Sequence, residues 1–269
     1  MTPGSPYAGA WPPTVASEHA ALLCDFDGTL APIVDDPGLA APLGSAVAVL
    51  DDLAGRLGLV AVVTGRPVAD VRRHLADPRV VVVGQYGLER EVAGVVVVDE
   101  RAAPYAPLVA AAADAAEVRW PDLRVERKGT VACTLHWREH PDAEPDPTAL
   151  TELAARHGLV AWAARMAVEL RPPVAVDKGT AVTEVLAGAA ACRLAVFAGD
   201  DRGDLAALDA LRAWAAAAPD RRAVGVAVDS TEVPPELLDA VDLTVTGPHG
   251  LVACLEEWRA AIAGASARD

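Results

Sequence analysis

The chain has 269 residues, about half of them apolar, very few aromatic ones, and a formal net charge of −15. That length holds one large domain or two modest ones with real cores, and the composition excludes a disordered chain. The acidic balance argues against nucleic acid or an anionic membrane as partner, so any site for a phosphorylated ligand must be locally positive.

Residues 1–17 are rich in Pro, Gly and Ala and lack the basic start and apolar run of a signal peptide, so they read as a flexible tail. No apolar stretch is long enough to span a bilayer. Cys24, Cys133, Cys192 and Cys254 form no C-x-x-C pair and sit in apolar runs, as small buried hydrophobes do in a reducing compartment. The expected location is the cytoplasm.

The first clear strand is Ala20–Asp25, apolar up to its last residue, as in a parallel sheet covered on both faces. Leu43, Val47, Leu50, Leu53 and Leu57 recur at helical spacing. A strand (Leu59–Val63), a short helix (Val68–Leu75) and another strand (Val80–Val83) follow. Near the C-terminus, a helix (Thr180–Ala190) precedes strands at Leu194–Ala198, Val224–Val228 and Leu243–Val245, and a helix (Gly250–Ala263) closes the chain. This alternation predicts an α/β fold, a doubly wound, Rossmann-like parallel sheet. The middle differs. A strand is expected at Val92–Val98, helices near 104–117 and 147–157, and strands at Leu123–Lys128, Thr130–Arg138, 159–164 and 166–171. In Thr130–Arg138 the apolar Val131, Cys133, Leu135 and Trp137 alternate with Thr130, Thr134, His136 and Arg138. Alternation of that kind predicts an antiparallel sheet with one face covered by helices and the other open. The expected organisation is a catalytic core at 18–88 and 174–269, with 89–173 inserted as an α+β cap domain.

Four motifs carry the chemistry. Asp25-Phe26-Asp27-Gly28-Thr29-Leu30 follows a buried strand, and its two carboxylates repel each other unless a cation compensates. Mg²⁺, a hard ion that joins carboxylate and phosphate oxygens, suits them. Asp25 is then the candidate nucleophile and Asp27 the candidate acid and base. Gly199-Asp200-Asp201-Arg202-Gly203-Asp204 ends another strand and reads better as a metal site than as an acidic helix start. Thr64-Gly65-Arg66 fits a phosphate contact and a plain N-cap equally well. Lys178, in Asp177-Lys178-Gly179-Thr180, places a cation where phosphate charge develops.

These four elements, in this order, resemble the haloacid dehalogenase superfamily of phosphatases over the chain from about residue 20. The resemblance implies Asp25 as nucleophile, Asp27 as acid/base, and Thr64 and Lys178 on the phosphate. It implies Mg²⁺ on the Asp25 carboxylate, the Asp27 carbonyl and Asp200, with Asp201 or Asp204 in support. The insertion between the second and third motifs matches the superfamily's α/β cap.

Within the insertion, Glu126-Arg127-Lys128-Gly129, Leu135-His136-Trp137-Arg138 and Glu169-Leu170-Arg171-Pro172 stand on three strands. Glu126 pairs in face with Lys128, His136 with Arg138, and Glu169 with Arg171. Such a polar surface above Asp25 suits a sugar. The stretches resemble those of trehalose-6-phosphate phosphatases, as do Asp27–Ile33 and Gly84-Gln85-Tyr86-Gly87-Leu88-Glu89. The resemblance implies Glu126, Lys128, Arg138 and Glu169 as sugar contacts; Arg66, Gln85, Tyr86 and His136 complete the expected substrate set. Two departures stand out: Gly-Gln-Tyr-Gly replaces the family's G-N-H-G, and Gly-Asp-Asp-Arg-Gly-Asp-Leu lacks the Thr and Glu of G-D-D-x-T-D-E. The expected reaction is Mg²⁺-dependent hydrolysis of trehalose 6-phosphate. The alternatives are a phosphatase for another disaccharide or pseudo-disaccharide phosphate, a phosphotransferase or mutase, and a catalytically dead sensor. The synthase that makes such a substrate is the candidate protein partner.

Overall fold

The computed structural model describes residues 15–34, 37–164, 166–230 and 233–266; residues 1–14 of the expected tail lie outside them. The described chain forms two compact units, one from residues up to 65, 70–87 and 176 onward, the other from 66–69 and 88–175. In chain order the elements are β1 (Ala20–Cys24), α1 (Gly44–Ala54), β2 (Leu59–Val63), α2 (Val68–Arg72) and β3 (Val80–Gly84). Next come β4 (Glu89–Val92), β5 (Val95–Val98), α3 (Ala106–Arg119), β6 (Arg124–Lys128), β7 (Ala132–His136), α4 (Pro147–Arg156), β8 (Val160–Ala164) and β9 (Ala167–Arg171). The chain ends with α5 (Lys178–Gly188), β10 (Leu194–Gly199), α6 (Asp204–Ala216), β11 (Arg222–Asp229), α7 (Pro235–Leu238), β12 (Leu243–Thr246) and α8 (Gly247–Ser266).

The first unit is built on parallel strands in the order β12-β11-β10-β1-β2-β3. All five residues of β1 and all six of β10 are buried. Ala21, Leu23, Val63 and Phe197 pack with Val182 and Leu186 of α5 and Ala207, Leu208 and Leu211 of α6. Leu22 and Cys24 point the other way along the strand and are equally buried, so both faces are covered. Each such leucine contributes about 1.5–3 kcal/mol by leaving water. α6 has no counterpart among the helices expected from sequence.

In the second unit the sheet order is β6-β7-β9-β8, all antiparallel. Cys133, Leu135, Val168 and Leu170 form its apolar face against Val109, Ala112, Ala113 and Ala116 of α3 and Leu150, Leu153 and Ala154 of α4. The small side chains of α3 let the helix lie close to the sheet. α4 starts where its sequence directs: Asp146 accepts from Thr148 N (2.7 Å) and Ala149 N (3.3 Å), with Pro147 in the first turn.

Several expected elements need correction. Val92–Val98 is not one strand. Ala93 (φ 52°) and Gly94 (φ 78°) both take left-handed backbone and turn β4 into β5 as an antiparallel hairpin. The strand expected at Thr130–Arg138 is shorter, so Arg138 lies beyond β7 and does not share a strand face with His136. Met166 (φ 50°) belongs to the turn before β9. Lys178 lies inside α5 rather than before it, because Asp177 and Thr180 cap the helix reciprocally. The four cysteines are buried and unbridged. No helix among the described residues is long and apolar enough to cross a membrane.

Candidate active site

From adjacent β1 and β10 the sheet grows in opposite directions, through β2 and β3 on one side and β11 and β12 on the other. Sheets of this kind open a crevice at the carboxyl ends of the two strands where the order reverses. Asp25 directly follows β1 and Asp200 directly follows β10. Oxygens of Asp25, Asp200 and Asp204 lie within 4.8 Å of one another, and all three residues are buried.

Lys178, only 2% exposed, reaches this cluster from the first turn of α5. Its Nζ lies 3.0 Å from Asp25 Oδ1, 2.8 Å from Asp204 Oδ1 and 3.3 Å from Asp201 Oδ1. Asp204 holds the loop itself: Oδ2 accepts from the amides of Asp200 (2.9 Å) and Asp201 (3.0 Å). Asp200 is fixed by two hydroxyls, Thr29 Oγ1 onto Oδ1 (3.1 Å) and Ser230 Oγ onto Oδ2 (3.0 Å). Gly28 sits against this carboxylate at φ 72°; a Cβ there would fall 1.9 Å from Asp200 Oδ2. Glycine is therefore required both by the backbone conformation and by the close approach.

Four carboxylates thus face one ammonium. Burial pushes the Asp25 carboxyl well above the usual range; Lys178 pulls it down, and Asp204, Asp201 and Asp200 push it up again. Burial and the neighbouring Asp204 and Asp201 raise Asp200 to about 7. Burial likewise lifts Asp204 to about 6 against the pull of Lys178. Burial opposes ionisation of Asp201 too, but Lys178 and the hydrogen bonds around Asp204 hold it below its ordinary value. Burial disfavours the charged Lys178, yet Asp204, Asp25 and Asp201 keep it protonated. At neutral pH the cluster either retains protons or takes up another cation.

The donor set fits a hard divalent cation: carboxylate oxygens only, buried, convergent and short of positive charge. Asp204 is the most heavily engaged of the three, with Oδ2 accepting from two amides and Oδ1 from Lys178.

The structure brings Asp25, Lys178, Asp200, Asp201 and Asp204 together. Asp27 is half-buried two residues beyond Asp25, in a bridge with Ala31. Thr64 is buried at the end of β2; its N–H donates to Val83 O (3.0 Å) and its carbonyl accepts from Tyr86 N (2.9 Å). Gln85 (φ 48°) and Tyr86 (φ 59°) both take left-handed backbone just past β3, a strain that concentrates at working sites. The Tyr86 ring lies against Gly65, where an added Cβ would be 2.6 Å from its hydroxyl oxygen. Arg66 is half-buried and groups with the second unit.

The second unit carries a polar sheet face opposite its apolar one. The strand register puts Glu126, Thr134, Glu169 and Trp162 in one row across β6, β7, β9 and β8. His136 Nε2 meets Glu126 Oε2 at 2.8 Å, and Lys128 Nζ meets Glu169 Oε2 at 2.8 Å. The His136 bond holds the Glu126 carboxyl below its ordinary value, against partial burial. The Arg171 guanidinium lies 3.7 Å from the Trp162 ring centroid. This face is less open than expected: Thr134, Glu169 and Arg171 are buried. Arg138 is exposed. Sequence reasoning missed Thr29, Ser230 and Trp162. Ser230 was findable, since it directly follows a strand of the parallel sheet.

Comparison with known proteins decides the family. A family profile described as Trehalose-phosphatase matches residues 23–236. The chain belongs to the trehalose-phosphatase family. Among its relatives, the trehalose-phosphate phosphatase of Mycobacterium avium (strain 104) is 35% identical over 209 residues, covering 74% of this chain and 53% of that protein. The corresponding protein of Mycobacterium marinum (strain ATCC BAA-535 / M) is 34% identical over 200 residues, covering 71% and 51%. The chain thus spans about half the length of these curated relatives. A solved trehalose-6-phosphate phosphatase related protein superposes with a TM-score of 0.72 at 22% identity, covering 91% of this chain and 99% of that one. That likeness is one of fold: a parallel sheet with helices and a separate antiparallel sheet. Membership in the trehalose-phosphatase family makes the acidic cluster its candidate phosphate-processing centre.

Proposed function

We propose that this protein is a Mg²⁺-dependent phosphatase that hydrolyses trehalose 6-phosphate to trehalose and phosphate. The observation that carries the reading is the meeting of buried Asp25, Asp200 and Asp204 with buried Lys178 where the sheet order reverses. Asp25 is the nucleophile: a carboxylate oxygen attacks phosphorus, and the bond from phosphorus to the sugar oxygen breaks. Asp27, in its acid form, gives the leaving oxygen its proton. Asp27 then takes a proton from water as that water attacks the phosphoryl group on Asp25, freeing phosphate and restoring the carboxylate. The Lys178 ammonium and the Thr64 hydroxyl hold the phosphate oxygens. Asp25, the Asp27 carbonyl and Asp200 would hold Mg²⁺, which supplies positive charge to the phosphate when bound. Asp201 and Asp204 support it.

In the second unit, taken as the cap, Glu126, Lys128, His136, Arg138 and Glu169 read the sugar, and Arg66, Gln85 and Tyr86 complete the substrate set. Paired carboxylates and cations on one sheet face suit a ligand with many hydroxyls. We further propose that the chain works in the cytoplasm beside the synthase that makes its substrate, without nucleic acid or membrane. The departures at Gln85, Tyr86, Gly203 and Leu205 favour one second reading, a phosphatase for a different disaccharide phosphate. Phosphate release in Mg²⁺, measured for trehalose 6-phosphate and a panel of sugar phosphates, tests the proposal. Turnover that is highest on trehalose 6-phosphate and nearly absent in Asp25→Asn supports it. Preference for another disaccharide phosphate replaces the substrate, and no release from any sugar phosphate overturns the function.

A further inference from the structure

Thr134 is central in the polar row of the second unit. Its neighbours in sequence, Cys133 and Leu135, point into the apolar core, so Thr134 faces the other way. The register sets it opposite Glu126 on one side and Glu169 on the other. It is 3% exposed, and its Oγ1 has no hydrogen-bond partner among the described residues. A buried hydroxyl left unpaired is destabilising, and Val would fill the same strand position without that cost. Both flanking carboxylates, by contrast, are engaged: Oε2 of Glu126 by His136 and Oε2 of Glu169 by Lys128, each at 2.8 Å. The row thus offers two fixed carboxylates with a donor-and-acceptor hydroxyl between them. Such a set matches neighbouring hydroxyls of a pyranose, which both donate and accept.

We propose that Thr134 is a specificity-determining residue whose hydroxyl hydrogen-bonds a sugar hydroxyl of the substrate. The inference rests on the function proposed above and adds a residue to its sugar-reading set. A site built to bond a hydroxyl loses discrimination when its own group is removed. Thr134→Val keeps shape and removes only the hydroxyl; Thr134→Ser keeps the hydroxyl. The readout is the ratio of kcat/KM for trehalose 6-phosphate to kcat/KM for p-nitrophenyl phosphate, measured on the full chain in Mg²⁺. The ratio is expected to fall about tenfold in Thr134→Val and to recover in Thr134→Ser. The melting temperature of Thr134→Val should equal or exceed that of the wild type, because a buried unpaired hydroxyl is gone. A Thr134→Val ratio equal to wild type overturns the proposal, as does a lowered melting temperature with equal losses on both substrates. If the panel shows a preference for another disaccharide phosphate, the same ratio is taken on that substrate. A wild-type chain that turns over p-nitrophenyl phosphate but no sugar phosphate defeats the proposed function and this inference together. Turnover of the sugar phosphate with an unchanged ratio defeats this inference alone.

Discussion

Replacing Lys178 with Met should both abolish turnover and unmask the charge problem at the centre of the first unit. Met matches the length of the stem and fills the same space without charge. In the wild type the Lys178 ammonium lies 2.8–3.3 Å from Asp204, Asp25 and Asp201. Removing one partner of a buried ion cluster costs about 3–5 kcal/mol, because the remaining charges stay buried without compensation. For a chain of this size about 2–4 °C of melting temperature corresponds to each kcal/mol, so the first unit should melt roughly 6–20 °C lower at about pH 8 in a chelator. The sign of the pH dependence follows from the carboxyls. Asp200 and Asp204, raised to about 7 and about 6, bind protons more readily folded than unfolded. Their destabilising charge is present above those values and relieved as pH falls through them. The Lys178→Met deficit should therefore shrink between about pH 8 and about pH 5. Thermal melts of both proteins across that range make the comparison. A deficit below about 2 °C at the higher pH, or one equal at both ends, would refute the reasoning.

Three further outcomes follow from the same geometry. Gly28→Ala forces a Cβ to within 1.9 Å of Asp200 Oδ2 at φ 72°; it should cost at least about 1–2 kcal/mol from the backbone alone and lower Mg²⁺ affinity, read by melts and calorimetric titration. Because a cation must displace the proton on Asp200, held at about 7, Mg²⁺ should bind about tenfold more weakly at about pH 6 than at about pH 8. Calorimetry at the two values checks this, and pH-independent affinity would contradict it. Glu169→Ala removes the carboxylate 2.8 Å from Lys128 Nζ and should reduce kcat/KM on trehalose 6-phosphate well beyond any loss on p-nitrophenyl phosphate; equal losses would assign Glu169 to the fold.

The parallel sheet was legible because a strand buried on both faces must be apolar throughout, as β1 and β10 are. The same sequence pattern put Asp25 and Asp200 just past buried strands, whereas their adjacency comes from the pairing of β1 with β10. The β4–β5 hairpin was hidden because Ala93 adopts a left-handed conformation that alanine rarely takes, and the valines around it read as one run. Gly179 made the start of α5 look later than it is, although Asp177 and Thr180 carried the capping signal. The division of labour between Asp201 and Asp204 depends on which carboxylate folds back onto the loop amides, a tertiary matter that two nearby aspartates do not disclose. Thr134 looked like an ordinary strand threonine, since burial of its hydroxyl depends on how the sheet packs.

Covalent capture tests the central claim most directly. Trehalose 6-phosphate carrying a radiolabelled phosphate is mixed with enzyme in Mg²⁺, quenched in acid within the first turnover, and the protein is digested and mapped. The account predicts label on the peptide bearing Asp25, lost on longer incubation and absent in Asp25→Asn. Release of labelled phosphate with no label ever on the protein, or label persisting in Asp25→Asn, would contradict it.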